Sequence, residues 1–243
     1  MELGPRTNQE DSLLVGQNFF QENHLYHEVE LLGPDCFLAV CDGMGGHSHG
    51  EKASAFACSE LLTTAEAEMP ETSNDVEHLL YTIQQSAEAD LSGNSGTTIA
   101  GVIVRDTSIT VFNAGDSRVY TYDTDTIRCI SHDHSYVQEM IDTGAISSEE
   151  AFTHPYRNLV SFGIGPAFQD IWGKHQPFII EYPIDSPTRL LICSDGVSDL
   201  YPDHQLHQIL TSVVEAPGKA LLEALSEKGL KDNTSFILAE IYP

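Results

Sequence analysis

The chain has 243 residues, 41% of them hydrophobic, enough to enclose one large core, and it reads as a single domain over 1–243. Its 37 acidic residues against 11 basic ones give a formal net charge of -26, which repels nucleic-acid phosphates and anionic membrane surfaces, so neither is expected as a partner. Cys36, Cys41, Cys58, Cys129 and Cys193 show no Cys-x-x-Cys spacing and read as packing thiols; with no leader pattern at Met1 to Pro5 and no apolar run of ~18 residues, a cytoplasmic location is expected.

Strand patterns open the chain at Ser12 to Val15, Leu25 to Leu32 and Phe37 to Cys41, punctuated by Gly, Asn and Pro, and predict a meander. Two amphipathic helices follow. Ala53, Phe56, Ala57, Leu61 and Ala65 form one stripe, and Val76, Leu79, Leu80, Ile83 and Ala87 form the next, with a break at Pro70 to Asn74. A single apolar stripe suits a helix that covers one sheet face.

Strands return at Thr97 to Val104, Ile109 to Asn113, Val119 to Tyr122 and Ile127 to Ile130, reversing at Gly115-Asp116 and at Asp123 to Asp125. His134 to Thr143 predicts a short helix, capped by Asp133 or Ser131 and closed by Gly144. The aperiodic stretch from Thr143 to Lys174 has the pattern of a functional flap, a site for substrate choice. Strands at Phe178 to Tyr182, Arg189 to Cys193 and Ser235 to Ile241 bracket two helices, one carrying Leu206, Ile209, Leu210 and Val213, the other near Ala220 to Leu225. Strands in blocks with two helix pairs predict an α+β fold of two face-to-face antiparallel sheets, each covered by a helix pair.

Acids recur along the chain, most of them where an apolar run ends: Glu10-Asp11, Asp42-Gly43-Met44-Gly45-Gly46, Gly115-Asp116-Ser117-Arg118, Ser194-Asp195-Gly196 with Asp199 one helical turn later, and Asp232-Asn233. A strand end delivers a side chain from a rigid base, and glycine lets the backbone turn beside a ligand. Gathered carboxylates repel one another unless a hard divalent cation neutralises them, and Mg or Mn suits carboxylate, carbonyl and water ligands. A lone Asp-Gly usually marks a surface turn, but the complete set reads as one binuclear metal site.

A calcium loop is disfavoured because Asp123 and Asp125 are followed by Ile127 where the ligand pattern needs an acid. His47 and His49 read as polar residues at a helix start and Arg118 as an ion-pair partner, while Gly163-Ile-Gly165 is half a nucleotide fingerprint with no assigned role. Arg157, in the flap, suits a phosphoprotein contact and a structural role equally.

In chain order, Arg6-Thr-Asn-Gln-Glu10-Asp11, Asp42-Gly-Met-Gly-Gly46, Ser95-Gly-Thr-Thr98, Gly115-Asp-Ser-Arg118, Asp133-His-Ser135, Ser194-Asp-Gly196 and Asp232-Asn233 resemble the motifs of the metal-dependent protein Ser/Thr phosphatases called PP2C or PPM, in their compact bacterial form. The resemblance covers nearly the whole chain. It implies a four-layer αββα sandwich with metals at one end of the sheets. It further implies that Asp42 bridges two Mg or Mn ions, that the Gly43 carbonyl and a water-linked Glu10 complete one, and that Asp195 and Asp232 hold the other. Asp11 would be a further acid beside them, and Asp116 with Asp199 would build a third, weaker site.

The reaction so implied is hydrolysis of phosphoserine and phosphothreonine in proteins by a hydroxide bridging the two metals, without a phosphoenzyme. Arg6 would grip two phosphate oxygens through its planar fork, although its lead-in is shorter than the family's usual first strand. The implied partners are phosphoproteins and a cognate Ser/Thr kinase pathway. Met44 stands where animal members often carry a histidine; methionine cannot donate a proton, so a metal-bound water is expected to protonate the leaving group. The alternative, a phosphoprotein-binding pseudophosphatase, would be marked by loss of a metal aspartate, and none is lost.

Overall fold

The computed structural model describes residues 1–31, 35–45, 49–213 and 215–243. Its larger sheet runs in the order β2 (Asn18–Phe20), β1 (Asp11–Val15), β3 (Cys36–Met44), β5 (Ile99–Val104), β6 (Ser108–Ala114) and β9 (Phe178–Pro183), with β4 (Gly96–Thr97) paired to the end of β3. The smaller sheet runs β11 (Phe236–Ile241), β10 (Thr188–Cys193), β7 (Arg118–Tyr122) and β8 (Ile127–Cys129). Each of these pairings is antiparallel.

Side-chain alternation along the strands builds the layers. On β3, Phe37, Ala39 and Cys41 face α1 (Gly50–Ala67) and α2 (Ser73–Asp90), while Leu38 and Val40 face the other sheet. On β10, Leu190 and Ile192 face inward, whereas Leu191 and Cys193 pack beneath α6 (Asp203–Ser212) and α7 (Pro217–Lys228). Three apolar layers therefore separate helices, sheet, sheet and helices, which is the αββα sandwich. Among the described residues no helix is long and apolar enough to cross a membrane.

Local chemistry explains several boundaries. Thr72 and Asp75 close a capping box on α2. At the start of α1, Gly50 lies against Gly43 of β3: a Cβ on Gly43 would stand 2.2 Å from the Gly50 carbonyl oxygen and 2.6 Å from that of Glu10. Only glycine permits that approach.

Four expectations need correction. Leu25 to Leu31 is no strand, and Leu32 lies outside the described residues; Tyr26, Val29 and Leu31 are exposed, so the segment lacks the buried face that its apolar content suggested. The strand paired to β1 is instead Asn18–Phe20. The short helix α3 (Tyr136–Asp142) is capped by Ser135, whose oxygen accepts from the Gln138 N–H, because Asp133 is taken by Arg118 and Ser131 by the Val119 N–H. The flap holds α4 (Ser148–Phe152), and its second half is core: Phe162 and Ile164 are fully buried, and Ile164 exchanges backbone hydrogen bonds with Thr97.

Candidate metal centre

The alternation that buries Leu38 and Val40 between the sheets carries Asp42 to the same side at the end of β3. On β1 it puts Asp11 in line with Leu13, and Asp11 and Asp42 are direct register partners. Like charges placed opposite one another across a strand pair are destabilising, so this pairing already calls for a cation.

The other acids arrive on turns. The β6–β7 reversal supplies Asp116, with Gly115 at φ 121°. The smaller sheet supplies Asp195 as the first residue of α5 (Asp195–Ser198), directly after β10. Asp199 closes that helix, its N–H donating to the Asp195 carbonyl at 2.8 Å, so both acids belong to one turn. Asp232 lies between α7 and β11.

Asp11 and Asp116 form a buried floor, and Glu10, Asp42, Asp195, Asp199 and Asp232 are half-buried around it. Burial raises the Asp42 carboxyl well above the usual range, and repulsion from Asp11, Asp195, Asp116 and Asp232 raises it further. Asp195 is pushed up to about 7 by burial and then by Asp199, Asp232 and Asp11. Burial also lifts Asp11 to about 6, against the Ser194 hydrogen bond that favours its charge. Asp116 is raised by burial, then by Asp195 and Asp133. Segments far apart in sequence thus place their acids within one another's field.

Oxygen chemistry fits the group as well. Asp11 Oδ1 is buried without a hydrogen-bond partner, although Oδ2 accepts from Ser194 Oγ at 3.0 Å. Buried carboxylate oxygens are rarely left unpaired, and an orphan is expected where a cation completes the site. Among the described residues no three His, Cys, Asp or Glu side chains are already closed into a metal-holding cluster.

Arg6 supplies one positive charge at this rim. Its guanidinium donates to the Asp232 carboxylate, and Glu10 and Asp42 lie near enough to reinforce its charge. Its lead-in is pinned by paired backbone hydrogen bonds between Glu2 and Thr234, both 2.9 Å. Asp199 has a cationic partner too, Arg157 Nε at 3.1 Å, which ties the flap to the acid cluster. Arg118 turns to Asp133, donating from Nε and Nη2, and braces the β7 start.

Several positioning groups carried no signal strong enough to single them out. Asn233 accepts from the Glu10 N–H at 2.9 Å and donates to the Leu3 and Asn8 carbonyls, joining the two ends of the chain beside Asp232. Thr97 and Thr98 hold the Asp42 backbone, with the Thr98 N–H donating to its carbonyl at 2.8 Å and Thr98 Oγ1 accepting from its N–H at 3.1 Å. Both residues lay in noticed motifs, but a backbone-anchoring role depends on three-dimensional proximity.

Met44 ends β3, and His49 stands at the α1 N-cap with φ 70° and makes no capping side-chain bond. Gly46 and His47 lie outside the described residues. Asp123 accepts from the Asp125 and Thr126 N–H groups, so its carboxylate serves a turn.

Gly196 keeps Asp195 and Asp232 in register. A Cβ there would stand 2.0 Å from the Asn233 carbonyl oxygen, and backbone cannot yield as a flexible side chain can. Gly196→Ala is expected to lower the melting temperature and to cut turnover at least tenfold, since about 1 Å of displacement costs that much or more; wild-type values for both would show that the contact is not needed.

A sequence profile described as "Protein phosphatase 2C" matches residues 26–233. The chain is 33% identical over 217 residues to a protein of Listeria innocua described as serine/threonine phosphatase stp, covering 84% of this chain and 83% of that one. Among solved structures, serine/threonine phosphatase Stp1 of Staphylococcus aureus aligns with a TM-score of 0.78 at 29% identity, covering 100% of this chain and 98% of that one. The serine/threonine phosphatase PstP/Ppp of Mycobacterium tuberculosis aligns with a TM-score of 0.80 at 26% identity, covering 100% and 96%.

Proposed function

The chain belongs to the protein phosphatase 2C family and is a protein serine/threonine phosphatase; on that premise we propose that it acts as one catalytic domain holding two divalent cations, Mg or Mn. Asp42, the Gly43 carbonyl, Glu10, Asp11, Asp195 and Asp232 would hold the pair, with Asp42 serving both ions, and Asp116 and Asp199 would offer a weaker third position. The observation that carries this reading is the convergence of mutually repelling carboxylates on one mouth of the sandwich, with Asp11 Oδ1 unpartnered beneath them.

When bound, such a pair supplies a shared water of lowered pKa and positive charge against phosphoryl oxygens. The protein's own groups do the rest. The acids fix the position of the charge, and Arg6, exposed at the rim, can leave Asp232 and engage phosphate oxygens with its planar fork. Half-exposure of Asp42 and Asp195 keeps the mouth open to a phosphorylated side chain on a protein surface. Phosphoproteins made by Ser/Thr kinases are the substrates, and the net charge of -26 favours basic segments among them.

The test is phosphate release from a phosphothreonine peptide with Mn or Mg and with chelator, for wild type and Arg6→Ala. Release should require the cation. Arg6→Ala should lose about 10- to 100-fold in kcat/KM, the worth of charge-assisted hydrogen bonds, while binding metal at least as tightly, because Asp232 is freed. Release undiminished by chelator would refute metal dependence, and unchanged kcat/KM would remove Arg6 from phosphate handling.

A further inference from the structure

Three aromatic rings gather where α3 meets the segment after α4, two of them exposed and His154 half-buried. Tyr136 begins α3, whereas His154 and Tyr156 follow α4; the chain is folded back so that the Tyr136 N–H donates to the Leu159 carbonyl at 2.9 Å. Tyr136 and Tyr156 meet edge to face, with centroids 5.9 Å apart and planes at 81°. The His154 ring lies 6.4 Å from Tyr136 and 5.7 Å from Tyr156, and its Nδ1 accepts from the Tyr156 N–H at 3.2 Å. Tyr136 remains 44% exposed, Tyr156 55% and the adjacent Leu159 53%. Rings fixed against one another yet left to solvent contribute little to a core, and such exposed apolar area marks an interaction site.

The trio is tied to the acids at two points. Arg157, next to Tyr156, pairs with Asp199. His134, two residues before Tyr136, donates its N–H to the Gly115 carbonyl at 2.8 Å, beside Asp116. A peptide whose phosphorylated residue lies at the acids therefore has flanking residues close to the rings.

We infer that Tyr136, His154 and Tyr156 form a platform for a cationic side chain, Lys or Arg, flanking the phosphorylated residue of the substrate; the inference rests on the phosphatase reading. Aromatic faces attract cations through their quadrupole. Among the described residues this chain's cation-over-ring contacts are elsewhere, at Lys219 with Tyr26 and Lys228 with Tyr201. Glu139, one turn along α3 from Tyr136, and Glu149 in α4 add negative charge. The platform thus offers ring faces and a matching field, which an aliphatic flank would use less well.

The experiment compares kcat/KM for three phosphothreonine peptides differing only in Arg, Ala or Leu flanks, each divided by kcat/KM for a small aryl phosphate. It uses wild type, Tyr156→Leu and the ring-retaining Tyr156→Phe. Wild type should favour the Arg peptide over the Ala peptide by about three- to tenfold; the Leu variant should lose most of that preference and the Phe variant should keep it. No Arg preference in wild type, a preference unchanged in Tyr156→Leu, or an equal loss on the Leu-flanked peptide would overturn the platform. Failure of wild type on all four substrates would instead overturn the phosphatase reading, and the platform with it.

Discussion

Asp42→Asn is expected to reduce turnover of a phosphothreonine peptide by at least ~10³-fold, on the scale of losing a main electrostatic element of a site, while raising the melting temperature measured in chelator. Both effects have one cause. Asp42 faces Asp11 across the strand pair and is raised by burial and by four neighbouring aspartates. Its charge is therefore a liability to the fold unless a cation answers it. Asparagine keeps the volume and removes the charge, so the fold gains what the site loses, the usual trade between stability and function. Turnover within tenfold of wild type would refute the central role of Asp42, and a lower melting temperature would show that its carboxylate is structurally satisfied.

Stability in chelator is expected to fall as pH rises from about 4 to about 7.5, and Mn is expected to restore it at the upper end. Unfolded aspartates ionise near ~3.9, whereas folded Asp11 holds its proton to about 6 and Asp195 to about 7, and Asp42 and Asp116 are raised as well. Across that window the folded state binds more protons than the unfolded one. This contribution is fully present below the unfolded values and is lost as pH climbs through the folded ones. Burial lowers the pKa of His134, which acts in the opposite sense at acid pH, so comparison with Asp42→Asn isolates the carboxylates.

A cation that binds only the folded cluster at a hundredfold excess over Kd adds ~2.7 kcal/mol, or roughly 5–10 °C for a chain of this size. Thermal scans at four pH values, with and without Mn, measure both effects. A stability that rises with pH in chelator, or a melting temperature indifferent to Mn, would contradict the mutual repulsion of the acids.

The αββα layering was legible because buried strands and helical stripes are written residue by residue: Phe37 to Cys41 is apolar throughout, as a strand covered on both faces requires, and α2 shows its stripe at Val76, Leu80 and Ile83. Leu25 to Leu31 misled because Leu25, Val29 and Leu31 fall at strand spacing, yet Val29 and Leu31 are exposed with no sheet to cover them. Among the acids, Asp42, Asp116 and Asp195 were legible through their place beside a glycine where an apolar run ends. Their partners were not. That Arg6 rests on Asp232 and Arg157 on Asp199 depends on contacts across 226 and 42 residues, which no local pattern records. The same holds for Asn233, whose hydrogen bonds to Leu3, Asn8 and Glu10 tie the chain's two ends beside the acid cluster.

The most direct test of the two-cation account is a Mn titration of chelator-treated protein in which bound metal and phosphothreonine-peptide hydrolysis are followed in the same samples. Hydrolysis that stays near zero through the first equivalent and rises with the second is the predicted result. Full hydrolysis with one ion bound, or with none, would contradict it.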